Sequence, residues 1–256
     1  MNNKEVLDTA KFVSKTLPAI PKVVNDFIEL SIGNWIEYKN SLSKEKFKIK
    51  LKEKLEQISK DKIIEPKLSI LGPALEASKY YIEEEEIQEL FSNLIASSMN
   101  EDISKYVHHS FVEVIKQLSP LDAKILKELD EKNPIIDIYY EYNFKKSGFM
   151  KLHLGNEAFL VYENLFFNER IPEAELNSIS LDNLIRHGLI KINKDISLIK
   201  KGVYSHLENS KAILELNEKI KNKVSPFDKE DGQITIKYHV LLLTSYGETF
   251  KKVCIK

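Results

Sequence analysis

Cysteine is almost missing from this chain: Cys254 is the only one in 256 residues, so no internal disulfide can form and a reducing compartment is expected. Glycine and proline are scarce too, at 8 each. These residues break helices or supply tight turns, so their scarcity argues for helices and against an all-β fold. No apolar run approaches the roughly 18 residues of a membrane-crossing helix. The first residues also lack a basic segment followed by an apolar core and a small-residue cleavage site. A soluble, cytoplasmic protein is expected. Nor is one sign of charge in excess. With 38 Lys and Arg against 39 Asp and Glu, the net charge is −1, and no long-range field draws the whole molecule to DNA or to an anionic membrane.

Chemical signatures are equally sparse. There is no glycine-rich phosphate loop, no GxSxG elbow, no HExxH and no cysteine pair, which argues against phosphate-loop NTPases, elbow-type serine hydrolases and zincins. No cofactor, metal ligand or catalytic residue can be named. A nuclease built from acids and histidines at distant positions stays open, since such sites carry no local motif. The reading leans away from an enzyme.

What is present is patterning. Hydrophobic residues make up 43% and charged residues 30%, the balance of a globular core. From Val6 to Tyr38 apolar residues recur three or four apart around Pro18 and Pro21, predicting a short helix, a turn and a second amphipathic helix. Trp35 near its end leaves open peripheral membrane contact. Ser43–Ser59 carries Phe47, Leu51, Leu55 and Ile58 on one stripe, and Lys39–Lys62 holds nine lysines against four acids. Lys46, Lys50 and Lys54 share a face and are candidate contacts for nucleic acid or an anionic surface. They lack interleaved arginine or aromatics, so a solvated face fits better. The acidic run Glu83–Glu86 suits a helix start better than an ion site. The adjacent His108 and His109 point in different directions and do not chelate one metal. Ser119, Pro120 and Asp122 form a strong helix start.

The boundary between a helical domain, 1–118, and a second domain, 119–256, is placed at that start. Ile135–Tyr142 is β-rich, and Lys145–Asn156 reads as loop. A helix to His187, a stop at Gly188 and a strand Leu189–Ile192 resemble the recognition helix and first wing strand of winged helix-turn-helix domains. Gln233–Leu243 would be the second wing strand, with a helical insert near Gly202–Lys221 between them and a last helix carrying Phe250 and Val253. The expected fold is therefore mainly α with a small β component, its second half winged-helix-like. Asn183, Arg186 and His187 would face DNA, a thin footprint, so protein contact is favoured over duplex DNA.

The block from Ser97 reading SSMNEDISKYVHHSFVEVIKQLSPLDAKIL resembles the central segment of the Abi-alpha family. PKLSILGPALEASKYYIEEEEIQELFSNLIASSM and LTSYGETFKKVCI are similar to that family too. The family is named for abortive infection, the suicide or growth-arrest response of bacteria to phage. The resemblance implies a setting in antiphage defence. With no catalytic motif, a binding or regulatory component is expected there; a membrane-active toxin using the N-terminal amphipathic and Lys-rich helices, or a toxin enzyme such as a nuclease, stays open. The resemblance supplies no active-site residues.

Overall fold

The apolar stripes of the first half become helices whose buried faces meet. A computed structural model describes residues 41–81, 83–143, 156–166, 168–171, 178–229 and 232–255. The helices expected between Val6 and Tyr38, Trp35 included, lie outside the described residues, as does residues 145–155 of the expected loop. The chain forms two compact units, Met1–Ala123 with Thr249–Lys256, and Lys124–Glu248.

In the first unit, α1 (Ser41–Glu56) packs on α3 (Glu85–Ser98), as does α2 (Leu68–Ser78). Phe47, Leu51, Leu55 and Ile58 are all buried, as their spacing predicts. Short α4 (Ser110–Ile115) adds Phe111, and the start of α5 (Pro120–Glu128) follows. The α5 start is a reciprocal cap. Asp122 Oδ2 accepts from the Ser119 N–H at 2.8 Å, and Ser119 Oγ accepts from the Asp122 N–H at 3.2 Å. The final turns of α9 (Ser245–Cys254) belong to this unit. Phe250 meets Phe111 edge-on, with centroids 5.2 Å apart. Last-turn carbonyls have no partner within a helix, and here α3 supplies partners. Asn93 Nδ2 donates to Cys254 O at 2.9 Å and Ser97 Oγ to Val253 O at 2.8 Å. Leaving such buried groups unpaired would cost about 1–3 kcal/mol each.

The second unit holds β1 (Lys132–Asn143), β2 (Asn156–Leu165), α6 (Ser178–Arg186), β3 (Ile190–Asn193), α7 (Ser205–Glu208), α8 (Lys211–Lys221) and β4 (Gln233–Leu243). Its sheet is antiparallel, in the order β2-β1-β4-β3. One sheet face, with Ile136, Ile138, Ile234 and Ile236, is covered by Tyr204, Leu207, Ile213 and Leu216 from the α7–α8 region.

This corrects the expected fold class. The two supposed wing strands do pair, from Ile190↔Leu243 to Asn193↔Val240. However, β4 also pairs along its length with β1, from Lys132↔Leu242 to Glu141↔Gln233, and β1 pairs in turn with β2. Among the described residues, α6 is preceded by β2 and not by the first helix of a helix-turn-helix. The molecule combines helices with a four-stranded antiparallel sheet; it is neither all-α nor a winged helix. Helix, GLI and strand are local features, and they do not determine which strand lies beside β4.

Helix ends in this unit follow backbone rules. Gly188, at φ +67°, closes α6. Leu189 N donates to Leu184 O and Gly188 N to Ile185 O, at 3.0 and 2.8 Å, the bond pair of a Schellman stop. The same pair closes α8, with Val224 N to Lys219 O and Lys223 N to Ile220 O, but Lys223 takes the left-handed position at φ 51°.

Candidate functional site

An acid in the middle of the apolar run IIDIYY and an imidazole inside YHVLLL are the unusual placements in the sheet. Between Ile136↔Leu165 and Ile138↔Tyr162 the β1–β2 register slips. β2 carries an extra residue there, so Glu163 and Asn164 both stand opposite Asp137. Asn164 takes up the bulge at φ 55°, a left-handed conformation that Asn tolerates better than most residues. Its N–H donates to Asp137 Oδ1 at 2.8 Å.

The same carboxylate gathers groups from the rest of the sheet. Register pairs Ile135 with His239 and Asp137 with Lys237, so Asp137 and His239 share a face on a diagonal. Both are buried, at 1% and 5% exposure. Lys194, just past β3, donates to Asp137 Oδ2 at 3.0 Å and to Glu163 Oε1 at 2.9 Å. Burial alone would lower the Lys194 ammonium, but its bonds to Glu163 and Asp137 hold it above its usual value. His239 Nδ1 lies 3.2 Å from Lys194 O and therefore donates to that carbonyl. Its Nε2 is 3.2 Å from Asp137 Oδ2, out of line for a hydrogen bond. Carboxylate and imidazole together are general acid–base groups. In this arrangement the Asp137 oxygens face Asn164, Lys194 and His239, so the cluster ties all four strands or their ends.

On the opposite face, the loop from β3 to α7, α7 itself and the middle of β4 frame a shallow pocket of about 190 Å³. The Tyr204 and Tyr238 rings stand in its wall, centroids 4.8 Å apart and inclined at 60°. Tyr204 is fixed at its tip: its hydroxyl donates to His239 O at 2.8 Å and accepts from Leu198 N at 2.9 Å. Tyr238 donates to Glu208 Oε1 at 2.6 Å. That bond, then burial and the Glu208 charge, push the Tyr238 hydroxyl up to about 12, so it remains a donor throughout the physiological range. Leu198 and Ser197 form the loop side of the pocket.

The residues singled out by sequence fall elsewhere. Lys46 is exposed on α1. Lys50 Nζ sits 3.6 Å from Glu85 and 3.4 Å from Glu89, and Lys54 also binds Glu89. Spacing places these lysines on one face, but it does not reveal the glutamates on α3 that neutralise two of them. Asn183, Arg186 and His187 do come together: Arg186 Nη2 donates to Asn183 Oδ1 at 2.9 Å and lies 3.3 Å from His187 Nε2. They crowd the C-terminal end of α6, whereas recognition helices present their N-terminal residues to bases and the C-terminal dipole repels phosphate. His108 Nδ1 accepts from the Ser110 N–H at 3.2 Å, a local contact before α4. Glu85 and Glu86 occupy the first turn of α3. Cys254 is buried in the first unit. Among the described residues, no group of three or more His, Cys, Asp or Glu could hold a metal ion, and no helix is long and apolar enough to cross a membrane.

Fold and surface define a two-unit helix-plus-sheet protein in which the second unit carries both a buried charged tie and an open pocket. The chain belongs to the Abortive infection alpha family, whose match runs over residues 39–254 and so spans both units. That membership links it to abortive infection. No curated protein and no solved structure gives a significant match.

Proposed function

We propose that the chain is a binding or regulatory component of antiphage defence that acts through protein contacts of its second unit, without catalysing a reaction. Family membership supplies the setting. The observation that carries the mode of action is the loop between β3 and α7, where Ile199 is 99% exposed and Ile196 48%, beside a pocket walled by two tyrosines. Exposed single apolar residues are ordinary. Two isoleucines on one short loop beside tyrosine rings have instead the apolar and aromatic character of interface centres. By contrast, the buried Asp137 and His239 of the sheet face one another, with Lys194 over Asp137 at the surface.

Phage challenge of cells tests the reading. Cells carrying the intact chain are expected to limit phage yield, and Ile199→Asp is expected to abolish this with an unchanged thermal midpoint, since an exposed substitution of this kind shifts stability by only about 0.5 kcal/mol or less. Full protection by Ile199→Asp would remove the loop from the mechanism. A salt-sensitive complex with duplex DNA that Arg186→Ala abolishes would replace the reading with DNA binding.

A further inference from the structure

We infer that the pocket between Tyr204, Tyr238 and Glu208 is a binding site for a cationic side chain, the guanidinium or ammonium of an arginine or lysine on a protein partner. The inference rests on the protein-contact reading above and gives that contact its chemistry.

Three observations point to a cation. First, Glu208 brings a carboxylate to the pocket; among the described residues its side chain accepts from the Tyr238 hydroxyl at Oε1, with Oε2 left for a ligand. No lysine, arginine or histidine pairs with Glu208 among the described residues. The one lysine of β4 does not serve, since Lys237 lies on the other face of the strand over the Tyr139 ring, 4.3 Å from its centroid. Lys200 and Lys201 follow Ile199 in the loop but do not line the pocket. Second, two phenol rings inclined at 60° stand beside that carboxylate, and an aromatic face attracts a cation within about 6 Å of its centroid. Third, the geometry is set in advance. Tyr204 is held at its hydroxyl by His239 O and Leu198 N, and Tyr238 by Glu208, so little ordering remains to be done on binding.

Size selects the kind of ligand. At about 190 Å³, the pocket is smaller than the roughly 300–1,000 Å³ of sites that enclose a whole small molecule, and it suits the end of one side chain. An anchor residue in a small pocket, ringed by apolar surface, is the usual arrangement of an interface centre. Ile196 and Ile199 supply that surface on the same loop.

The test uses the full chain with tyrosine rings isotopically labelled, titrated with N-acetyl-arginine amide and with its neutral isostere N-acetyl-citrulline amide. The arginine compound is expected to give saturable shifts of the Tyr204 and Tyr238 ring signals at roughly millimolar concentration, and the citrulline compound is expected to give none. Glu208→Gln, which keeps an acceptor for Tyr238, should weaken the arginine compound about three- to fivefold. Glu218→Gln, an exposed acid on α8 outside the pocket, should leave it unchanged. Equal shifts with both compounds, or equal affinity of the wild type and a folded Glu208→Gln chain, would overturn the inference. Should Glu208→Gln fail to fold, the arginine–citrulline contrast in the wild type still decides. Because the readout is binding to purified protein, a negative result here leaves the phage assay, and the reading it tests, standing separately.

Discussion

In the first unit, the polar side chains buried along α3, Ser92, Asn93 and Ser97 among them, are neutral, and Asn93 and Ser97 close helix-end carbonyls at Cys254 and Val253. Lys50 and Lys54 meet Glu89 between α1 and α3, with Glu89 about a third in water. In the second unit Asp137 and His239 are drawn inside the sheet with Lys194 capping them. The difference follows from the kind of element. A helix satisfies its backbone internally and needs help only at its ends. A bulged strand pair leaves donors such as the Asn164 N–H without a ladder partner, and a buried carboxylate can supply one. Taking charge out of water is costly, so the cluster is stable only while complete.

The most severe way to test that contrast is Asp137→Ala. It leaves the Asn164 N–H without its acceptor, leaves Lys194 with Glu163 alone, and removes the carboxylate that faces His239. A loss of about 2–3 kcal/mol is expected, from the buried N–H left unpaired and the packing lost, measured by urea denaturation followed in the second unit's tyrosine signals. A loss below about 1 kcal/mol, the size of an exposed pair, would mean that the cluster is decoration and that the two units do not differ in this respect.

A smaller effect of opposite sign is expected from Lys223→Gly. Both Schellman stops of the second unit need a left-handed residue, and only one of them has glycine. A side chain in that conformation costs about 1–2 kcal/mol, and glycine recovers part of it after its own entropy loss. A gain near 1 kcal/mol in urea is expected; no gain would show that Lys223 is not strained.

The same positions show what could be read in advance. Phe47, Leu51, Leu55 and Ile58 at helical spacing, the Ser119–Asp122 start and the Gly188 stop were legible because each depends on residues within one or two turns. The β character of Ile135–Tyr142 and Gln233–Leu243 was legible for the same reason. What misled was partnership. β2 went unread, and without it a helix followed by GLI and a strand resembled a wing. The Asp137–His239 cluster and the pocket depend on strand register and on a loop between β3 and α7, and no spacing in the sequence encodes either. Likewise, Lys50 and Lys54 looked open to phosphate because Glu85 and Glu89 lie on another helix.

That last pair gives the mildest test of the contrast, through pH. Burial alone would raise the Glu89 carboxyl, but the Lys54 hydrogen bond and the Lys54 and Lys50 charges bring it below the usual carboxylate value. A folded-state value lower than the unfolded one means that the interaction adds stability above the ordinary carboxylate range and loses it as pH falls through the lowered value. Glu89 is about a third exposed, so water screens the interaction and about 0.5 kcal/mol is the scale to expect. Glu89→Gln should therefore cost this small amount at neutral pH and narrow the gap to wild type on acidification below about pH 4. If instead the loss matched that of Asp137→Ala, or did not shrink in acid, the first unit would also depend on a charge removed from water.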